Sequence, residues 1–347
     1  MIFIRADANE RIGTGHVMRC MAIAEALEQR GQQVCFLLAD DTGSRLLQDR
    51  NREYLVLHTD YASMEEELPR LRQLLQEKKP DFFLADSYCA TPEYLREVRK
   101  IVPVGLLDDT GLTGYPADVL INYNIFASDA LYDVSEETET RYLLGPAYVP
   151  LRREFTEAAY RVRERAERVL ITTGGSDTYN LGTKLLKRAL AEADTANLQY
   201  TVVSGAYNIH FEELQELACG HENVHVCSNV SNMRQLMQES DLAVSAGGST
   251  MYELSAVGVP VICFSFVDNQ KRIVQGFAER GLVCFGGDYS AMGESLPEEI
   301  VYHMGRLAAD YKLRKSCSQR LRKLVDGRGA LRIAGELCRY GNCEEGT

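Results

Sequence analysis

Length, composition and charge exclude several classes of protein. The chain has 347 residues, 45% of them hydrophobic, which predicts a globular protein of about two domains. Lys and Arg total 38 against 50 Asp and Glu, so the net charge of −12 repels polyanions and nucleic acid is not an expected partner. Charges at Arg5 and Asp7 interrupt any signal-like apolar run, and no later run reaches the ~20 residues that cross a bilayer. We expect a cytoplasmic protein without a membrane partner.

The first half of the chain alternates apolar strands with helices. Strands are predicted at 2–5, 34–39, 54–57, 81–86 and 102–107, and helices at 17–30, 43–51 and 64–79. Continuous apolar strands separated by helices indicate a parallel sheet that is covered on both faces.

The second half repeats this pattern after a connector. A proline- and charge-rich stretch at 146–168 is predicted to join the halves. Strands follow at 168–173, 199–204, 224–227, 242–245 and 261–266, with helices at 180–193, 211–219, 233–239 and 250–257, and a mostly helical end at 298–338. We predict an α/β protein of two Rossmann-like, doubly wound domains, 1–150 and 151–347, that face a cleft. The last helix is a candidate to cross back to the first domain.

Three glycine turns each lie between an apolar strand and a helix. They are Ile12-Gly13-Thr14-Gly15-His16, Thr173-Gly174-Gly175-Ser176-Asp177 and Ser245-Ala246-Gly247-Gly248-Ser249-Thr250. Glycine lets the backbone approach a ligand, and the N–H groups of a helix start can then bind phosphate. Any one of them could be an ordinary turn, but three together favour phosphate binding. Met18 replaces the third glycine of a dinucleotide-binding motif, so a nicotinamide cofactor is the weaker interpretation.

Polar residues are predicted to converge at the carboxyl ends of the strands. His16 begins a helix, where the dipole disfavours the imidazolium, so a neutral imidazole there is a competent base, with a capping or packing role as the alternative. Asp86 and Asp108 end successive strands and could cap helices instead, and Asp109 is predicted to be such a cap. Glu253 could accept hydrogen bonds from a ribose diol or lie on a solvated helix face.

One cluster of cysteines and histidines is a candidate metal site. Cys219, His221, His225 and Cys227 fall within nine positions but include no Cys-x-x-Cys pair, so we predict no zinc there. The remaining cysteines are scattered singly, which suits a reducing compartment.

The sequence resembles a known hydrolase family. The pattern Arg5-Ala6-Asp7 followed by Ile12-Gly13-Thr14-Gly15-His16-Val17-Met18-Arg19-Cys20 resembles the opening of the pseudaminic-acid-pathway hydrolases, which act on UDP-2,4-diacetamido-2,4,6-trideoxy-β-L-altropyranose. The resemblance continues through 86–88, 108–109, 151–155, 174–177, 245–250, 253 and 268–270. That family is similar in fold to the GT-B glycosyltransferases, and the resemblance extends to spore-coat polysaccharide biosynthesis proteins.

The resemblance implies a mechanism and a set of site residues. His16 would be the general base that deprotonates water for attack at the anomeric carbon with inversion, and Tyr88 and Asn269 would orient substrate and water. Gly174, Ser249 and Glu253 would hold the UDP. Further contacts to substrate or UDP are expected from Arg5, Asp7, Gly13, Gly15, Gly175, Ser176, Ser245, Gly248, Thr250 and Gln270. No metal or cofactor is implied, because backbone N–H groups and a helix dipole can stabilise the leaving diphosphate.

Three alternatives to a UDP-sugar hydrolase stay open. A GT-B glycosyltransferase would use His16 to activate an acceptor hydroxyl, whereas a nucleotide-sugar-binding protein without turnover would need no base. A nicotinamide-dependent oxidoreductase is the third. The exact sugar is open as well, because 143–155 matches the family only loosely.

Overall fold

The computed structural model describes residues 1–9, 11–132, 139–156, 160–205, 207–228, 230 and 232–341. The chain folds into two compact units, one formed by Met1–Arg153 together with the residues from Gly327 onward, the other by Glu154–Asp326. The chain leaves the first unit inside the predicted connector, of which residues 157–159 lie outside the described residues.

The first unit contains one seven-stranded parallel sheet. Its strands are β1 (Ile2–Ala6), β2 (Val34–Leu38), β3 (Tyr54–Val56), β4 (Phe82–Asp86), β5 (Val104–Leu107), β6 (Val119–Asn122) and β7 (Arg141–Leu144). Its first helices are α1 (Gly15–Glu28), α2 (Ser44–Gln48), α3 (Met64–Lys78), α4 (Pro92–Arg99) and α5 (Asp129–Tyr132). The strand order is β3-β2-β1-β4-β5-β6-β7, and β1, β2, β4, β5 and β6 are buried along their whole length, as their continuous apolar sequences require.

The second unit contains a six-stranded parallel sheet of the same kind. Its strands are β8 (Arg168–Thr172), β9 (Gln199–Ser204), β10 (Val224–Ser228), β11 (Leu242–Ala246), β12 (Val261–Ser265) and β13 (Cys284–Asp288). Its helices are α6 (Leu181–Ala191), α7 (Phe211–Cys219), α8 (Met233–Glu239), α9 (Thr250–Val257), α10 (Asp268–Glu279), α11 (Tyr289–Met292), α12 (Leu296–Ala309) and α13 (Tyr311–Leu324). The order is β10-β9-β8-β11-β12-β13. In both sheets the strand order therefore reverses beside the first strand, which is the position where doubly wound domains bind ligands. The predicted class, two α/β domains with doubly wound parallel sheets, is confirmed.

The last helix, α14 (Gly329–Leu337), packs on the first unit. It contacts α1, and Arg332 Nη1 donates to the carbonyl of Ala147 at 2.9 Å. A Cβ atom at Gly329 would lie 2.1 Å from the carbonyl oxygen of Val149, so only glycine lets the helix begin this close to the chain. The predicted second domain of 151–347 is therefore too long, because the chain re-enters the first unit at Gly327.

Candidate functional site

One asparagine shapes the loop between β1 and α1. Asn9 Oδ1 accepts hydrogen bonds from the backbone N–H groups of Arg11 and Ile12 at 2.9 and 3.1 Å, and its carbonyl accepts one from Gly13 at 2.8 Å. Gly13 has a φ of +69°, in the left-handed region that favours glycine. The loop turns sharply here, and α1 then begins at Gly15. The side chain of His16, in its first turn, lies at the carboxyl end of β4.

His16 is paired with the buried carboxylate at that strand end. Its Nδ1 lies 2.6 Å from Asp86 Oδ1, and Asp86 also accepts from Arg19 Nε at 2.6 Å and Arg19 Nη2 at 2.5 Å. Burial alone would raise the pKa of Asp86, but the Arg19 guanidinium and then His16 hold that pKa well below its usual range. Asp86 is therefore an anion that only accepts hydrogen bonds. In a neutral imidazole, the 2.6 Å contact with this acceptor favours the proton on Nδ1 over the longer 3.1 Å contact of the same nitrogen with Arg19 Nη2, which leaves Nε2 as an acceptor.

This pairing predicts a specific loss of stability in acid. The carboxyl group of Asp86 stays ionised in the folded protein below about pH 4, where the unfolded chain takes up a proton, so its stabilising contribution is lost as the pH falls. Between about pH 4 and pH 3 we expect the wild type to lose about 1 kcal/mol more unfolding free energy than an Asp86→Asn variant, because the unfolded carboxyl is only partly protonated at the upper end of this range. Urea unfolding of both proteins at a series of pH values measures the difference. Parallel pH curves would contradict the assignment of Asp86 as the ionised partner.

Tyr88 lies against the imidazole of His16. The two ring centroids are 4.8 Å apart at an interplanar angle of 85°, and the Tyr88 hydroxyl donates to Asp109 Oδ2 at 3.3 Å. Partial burial and the Asp109 carboxylate raise the pKa of Tyr88 to about 12, so the side chain stays a phenol at neutral pH. With 55% of its surface exposed, Tyr88 is available to a ligand beside His16.

Asp109 is not the helix cap that the sequence predicts. Its Oδ2 accepts from Arg19 Nη1 at 2.5 Å, so it takes part in the cluster around His16. The neighbouring Asp108 closes the turn instead, because it accepts the backbone N–H groups of Thr110 and Gly111 at 2.7 and 3.0 Å. Polar strand-end residues therefore do converge in the first unit, with Asp109 among the groups around His16.

Arg5 and Asp7 lie inside the fold of the first unit. Arg5 has no exposed surface; its Nη1 donates to Asp7 at 2.5 Å, and its Nε and Nη2 donate to Glu67 at distances from 2.9 to 3.1 Å. The second oxygen of Asp7 accepts the backbone N–H of Ala39 at 2.8 Å. These groups are occupied within the protein, so the predicted substrate contacts are corrected to a structural role that ties the end of β1 to β2 and α3.

Glycines shape the loop after β8. Gly174 has a φ of +88°, and a Cβ atom at Gly205, which follows β9, would lie 2.3 Å from the carbonyl oxygens of both Gly174 and Gly175. Tyr207 also donates its backbone N–H to the carbonyl of Gly175 at 3.0 Å. The loops after β8 and β9 therefore pack directly on one another, with Gly175 and Ser176 exposed at the carboxyl edge of the second sheet.

The start of α6 is already occupied by a carboxylate. Asp177 is buried, and its two oxygens accept the backbone N–H groups of Leu181 and Gly182 at 2.7 and 2.8 Å. A phosphate would have to displace this side chain to reach those groups. The expectation that the start of this helix binds phosphate is corrected, and only the exposed glycine loop before it stays available.

The loop between β11 and α9 presents a different arrangement. A Cβ atom at Gly247 would lie 2.3 Å from Val274 Cγ2, whereas a Cβ atom at Gly248 would meet no described atom within 4 Å. Ser249 is exposed and Thr250 half-buried at the start of α9, which has no side-chain cap among the described residues. The N–H of Gly248 donates to the carbonyl of Ala246 at 2.8 Å and that of Met251 to the carbonyl of Gly248 at 3.1 Å. Ser249 and Thr250 therefore present the backbone N–H groups that a ligand could reach at this positive end of a helix.

The remaining predicted residues of this edge differ in their accessibility. Ser245 is buried and donates its hydroxyl to the carbonyl of Ala246 at 3.0 Å, so its predicted ligand contact is corrected to a local backbone bond. Glu253 is half-buried in the first turn of α9. Asn269 is exposed at the start of α10, and the side-chain carbonyl of Gln270 accepts the backbone N–H of Phe266 at 3.1 Å.

Gly248→Ala is expected to weaken UDP binding without disturbing the fold. The added methyl group meets only open space, but it would hold a phosphate away from the backbone N–H groups, and a hydrogen bond to a charged group contributes about 1.5–3 kcal/mol. We expect Kd for UDP to rise about 10- to 100-fold in isothermal titration calorimetry. Gly220→Ala, where the nearest atom is 3.5 Å away, is the matched control. Equal affinities of both variants would place the phosphate elsewhere.

The structure also bears on metals and membranes. Within the described residues, no three His, Cys, Asp or Glu side chains are grouped as metal ligands. Over the same part of the chain, no helix is both long enough and apolar enough to cross a bilayer.

Taken by unit, the predicted residues form two groups at the carboxyl edges of the sheets. His16 and Tyr88 lie together in the first unit beside the first glycine turn, and the other two glycine turns lie in the second unit with Glu253, Asn269 and Gln270. The sequence placed Asp86 among the polar strand ends without assigning it a role in the site, and it gave Arg19 only as part of the opening motif. The spacing of His16 and Arg19, three positions apart on one helix, was the available signal, because such residues share a face.

Comparisons with known proteins point to nucleotide-sugar enzymes. Residues 169–319 match the sequence profile of the glycosyltransferase family 28 C-terminal domain. The chain is 29% identical over 343 residues to the spore coat polysaccharide biosynthesis protein SpsG of Bacillus subtilis (strain 168), covering 96% of each. It is 22% identical over 281 residues to the UDP-2,4-diacetamido-2,4,6-trideoxy-beta-L-altropyranose hydrolase of Campylobacter jejuni, covering 81% of this chain and 97% of that enzyme.

Solved structures agree on the fold. The crystal structure of Acinetobacter baumannii MurG is similar with a TM-score of 0.70 and 17% identity, over 97% of this chain and 99% of that one. At this identity the likeness establishes the architecture alone, a GT-B-like pair of doubly wound domains.

Proposed function

We propose that this protein hydrolyses a UDP-activated 2,4-diacetamido-2,4,6-trideoxy sugar to UDP and the free sugar, in nonulosonic acid or surface polysaccharide biosynthesis. The observation that carries the proposal is the 2.6 Å pairing of His16 Nδ1 with Asp86 at the carboxyl edge of the first sheet, which supports a neutral ring whose Nε2 accepts a proton. A protein that only binds nucleotide sugars has no need of an oriented base. The C. jejuni hydrolase named above supports the substrate class, and the B. subtilis spore-coat protein supports a place in surface polysaccharide biosynthesis.

The chemistry follows from the orientation of the imidazole. Nε2 of His16 takes a proton from water while the water oxygen attacks the anomeric carbon, and the bond from that carbon to the UDP oxygen breaks with inversion. The imidazolium that forms is stabilised by the Asp86 carboxylate, which already accepts the Nδ1 proton. General-base catalysis of this kind contributes roughly 100- to 10,000-fold. Tyr88 and Asn269 are assigned to orienting the sugar and the water.

We assign UDP binding to the second unit. The exposed Gly175 and Ser176 would hold the diphosphate together with the start of α9, which the half-buried Gly248 leaves uncovered, and Glu253 would accept the ribose hydroxyl groups. Negative charge that develops on the leaving UDP is then met by N–H groups and a helix dipole, without a metal ion. Because Asp177 occupies the first N–H groups of α6, α9 is the helix to which we assign the phosphates.

A glycosyltransferase is the second candidate. The match of residues 169–319 to the glycosyltransferase family 28 C-terminal domain favours it. His16 would then deprotonate an acceptor hydroxyl rather than water, with every other assignment unchanged. The two candidates differ in one requirement, since a transferase needs an acceptor before the sugar leaves UDP.

The deciding experiment follows both products with time. The purified protein is incubated with the UDP-linked 2,4-diacetamido sugar in EDTA without an acceptor, and NMR monitors UDP, the free sugar and its first-formed anomer. We expect UDP and sugar in equal amounts, with the anomer inverted relative to the substrate. Substrate that binds but stays intact until an acceptor is added would instead establish the transferase. Substrate that does not bind would remove both candidates.

A further inference from the structure

Five side chains of the first unit form a closed ring of contacts, which we call the Arg19 ring: His16, Asp86, Arg19, Asp109 and Tyr88. Asp86 accepts from both His16 and Arg19, and Asp109 accepts from both Arg19 and Tyr88. The T-shaped contact between Tyr88 and His16 closes the ring. The two side chains assigned to the reaction are therefore each held by a carboxylate, and both carboxylates are held by one guanidinium.

The geometry of Arg19 suits this double role. Its Nε and Nη2 form a fork on the two oxygens of Asp86, at 2.6 and 2.5 Å. Its Nη1 points the other way, to Asp109 Oδ2 at 2.5 Å and to the Tyr123 hydroxyl at 2.7 Å. A guanidinium can engage two carboxylates on separate edges in one plane, whereas a lysine ammonium is a single point charge. The side chain is only 13% exposed, so water cannot readily replace these bonds.

Charge balance makes the ring depend on Arg19. Asp86 is completely buried and Asp109 largely so, and the two like charges would repel each other without a cation between them. The pKa of Arg19 is raised well above its ordinary value, because Asp109 and Asp86 together outweigh the effect of burial, so this cation persists at all working pH values. Loss of the guanidinium would leave a buried, partly unpaired carboxylate next to the base.

We propose that Arg19 is the positioning residue for both His16 and Tyr88. Through Asp86 it holds His16 in the form with the proton on Nδ1, and through Asp109 it holds the Tyr88 hydroxyl on the substrate side. The first effect acts on the proton transfer and therefore on kcat. The second acts on how the sugar is held and therefore on KM. The activity part of this inference rests on the proposed function, whereas the structural part does not.

A tautomer measurement tests the structural part without turnover. Protein with 15N-labelled histidine is compared as wild type, Arg19→Met and Arg19→Lys, and a His16→Gln spectrum identifies the His16 signals. We expect the wild type to carry its proton on Nδ1 and Arg19→Met to lose that preference. Arg19→Lys, which keeps a cation and therefore the fold, should shift the signals part of the way. Unchanged His16 signals in both folded variants would overturn the inference.

Kinetic measurements test whether the Asp86 branch of the ring acts on kcat and the Asp109 branch on KM. Asp86→Asn should lower kcat about 100-fold or more with little change in KM, and Asp109→Asn should mainly raise KM. Arg19→Met should do both, and adding Asp86→Asn to it should cost little further kcat, because the two residues act as a unit. Arg96→Met, an exposed arginine on α4, is the control. Additive losses would contradict the shared role.

The two measurements together separate the claims. If the His16 signals shift as expected but no UDP-sugar is hydrolysed, the ring stands and the proposed function fails. If hydrolysis occurs and Arg19→Lys and Arg19→Met leave both kcat and KM at the control values, the positioning role fails and the proposed function stands.

Discussion

His16→Ala is expected to lower kcat for UDP-sugar hydrolysis by roughly 100- to 10,000-fold, because it removes the assigned general base. His16 is only 5% exposed and its Nδ1 is bound to Asp86, so the imidazole is held in one orientation. KM should change little, because the variant keeps Tyr88 itself and removes only its aromatic contact with the imidazole. Initial rates of UDP release measure the effect.

UDP binding distinguishes a lost base from a lost fold in this variant. Because we assign the nucleotide to the second unit, Kd for UDP should equal that of the wild type in calorimetry. His225→Ala, which removes an exposed histidine on β10, is the matched control and should retain full activity. An alanine variant at position 16 that keeps more than about a tenth of the wild-type kcat would show that the base lies elsewhere.

Glu67→Ala is expected to destabilise the first unit by about 3–5 kcal/mol, which is the range for removing one partner of a buried ion pair. Neither Glu67 nor Arg5 has any exposed surface, and Glu67 also accepts the Tyr94 hydroxyl at 2.6 Å. Burial would lower the pKa of Arg5, but Asp7 and Glu67 raise that pKa above its ordinary value, so the cation would remain after the substitution and be half-paired. Urea unfolding, with hydrogen exchange read on β1 and β4, measures the loss.

Two further variants decide whether charge is the cause. Glu66→Ala removes the exposed neighbour on α3 and should change stability by less than about 0.5 kcal/mol. The triple variant Arg5→Met, Asp7→Asn and Glu67→Leu should recover much of the loss, because it removes all three buried charges while the amide oxygen at position 7 can still accept the Ala39 N–H. A triple variant as unstable as Glu67→Ala would mean that shape and not charge governs this site.

Local patterns in the sequence determined the layered architecture. Continuous apolar runs such as Phe82–Asp86 and Val261–Ser265 must be covered on both faces, which requires a parallel sheet between helices. Glycine turns after strands locate the carboxyl edges, so His16 and Gly248 could be placed there in advance. Strands β6 and β7 have four residues each and escaped prediction, although β3 and β5 are no longer and were predicted.

Only the tertiary structure decided which polar groups are available. Arg19 meets Asp86 and Asp109 across 67 and 90 positions, and Arg5 meets Glu67 across 62. No local pattern encodes such pairings, because they depend on which strand ends become neighbours in the sheet. For the same reason, the sequence could nominate both Arg5 and His16, but only the fold showed that Arg5 is bound within the core, whereas the hydrogen bonds of His16 with described residues engage its Nδ1 and leave Nε2 without one.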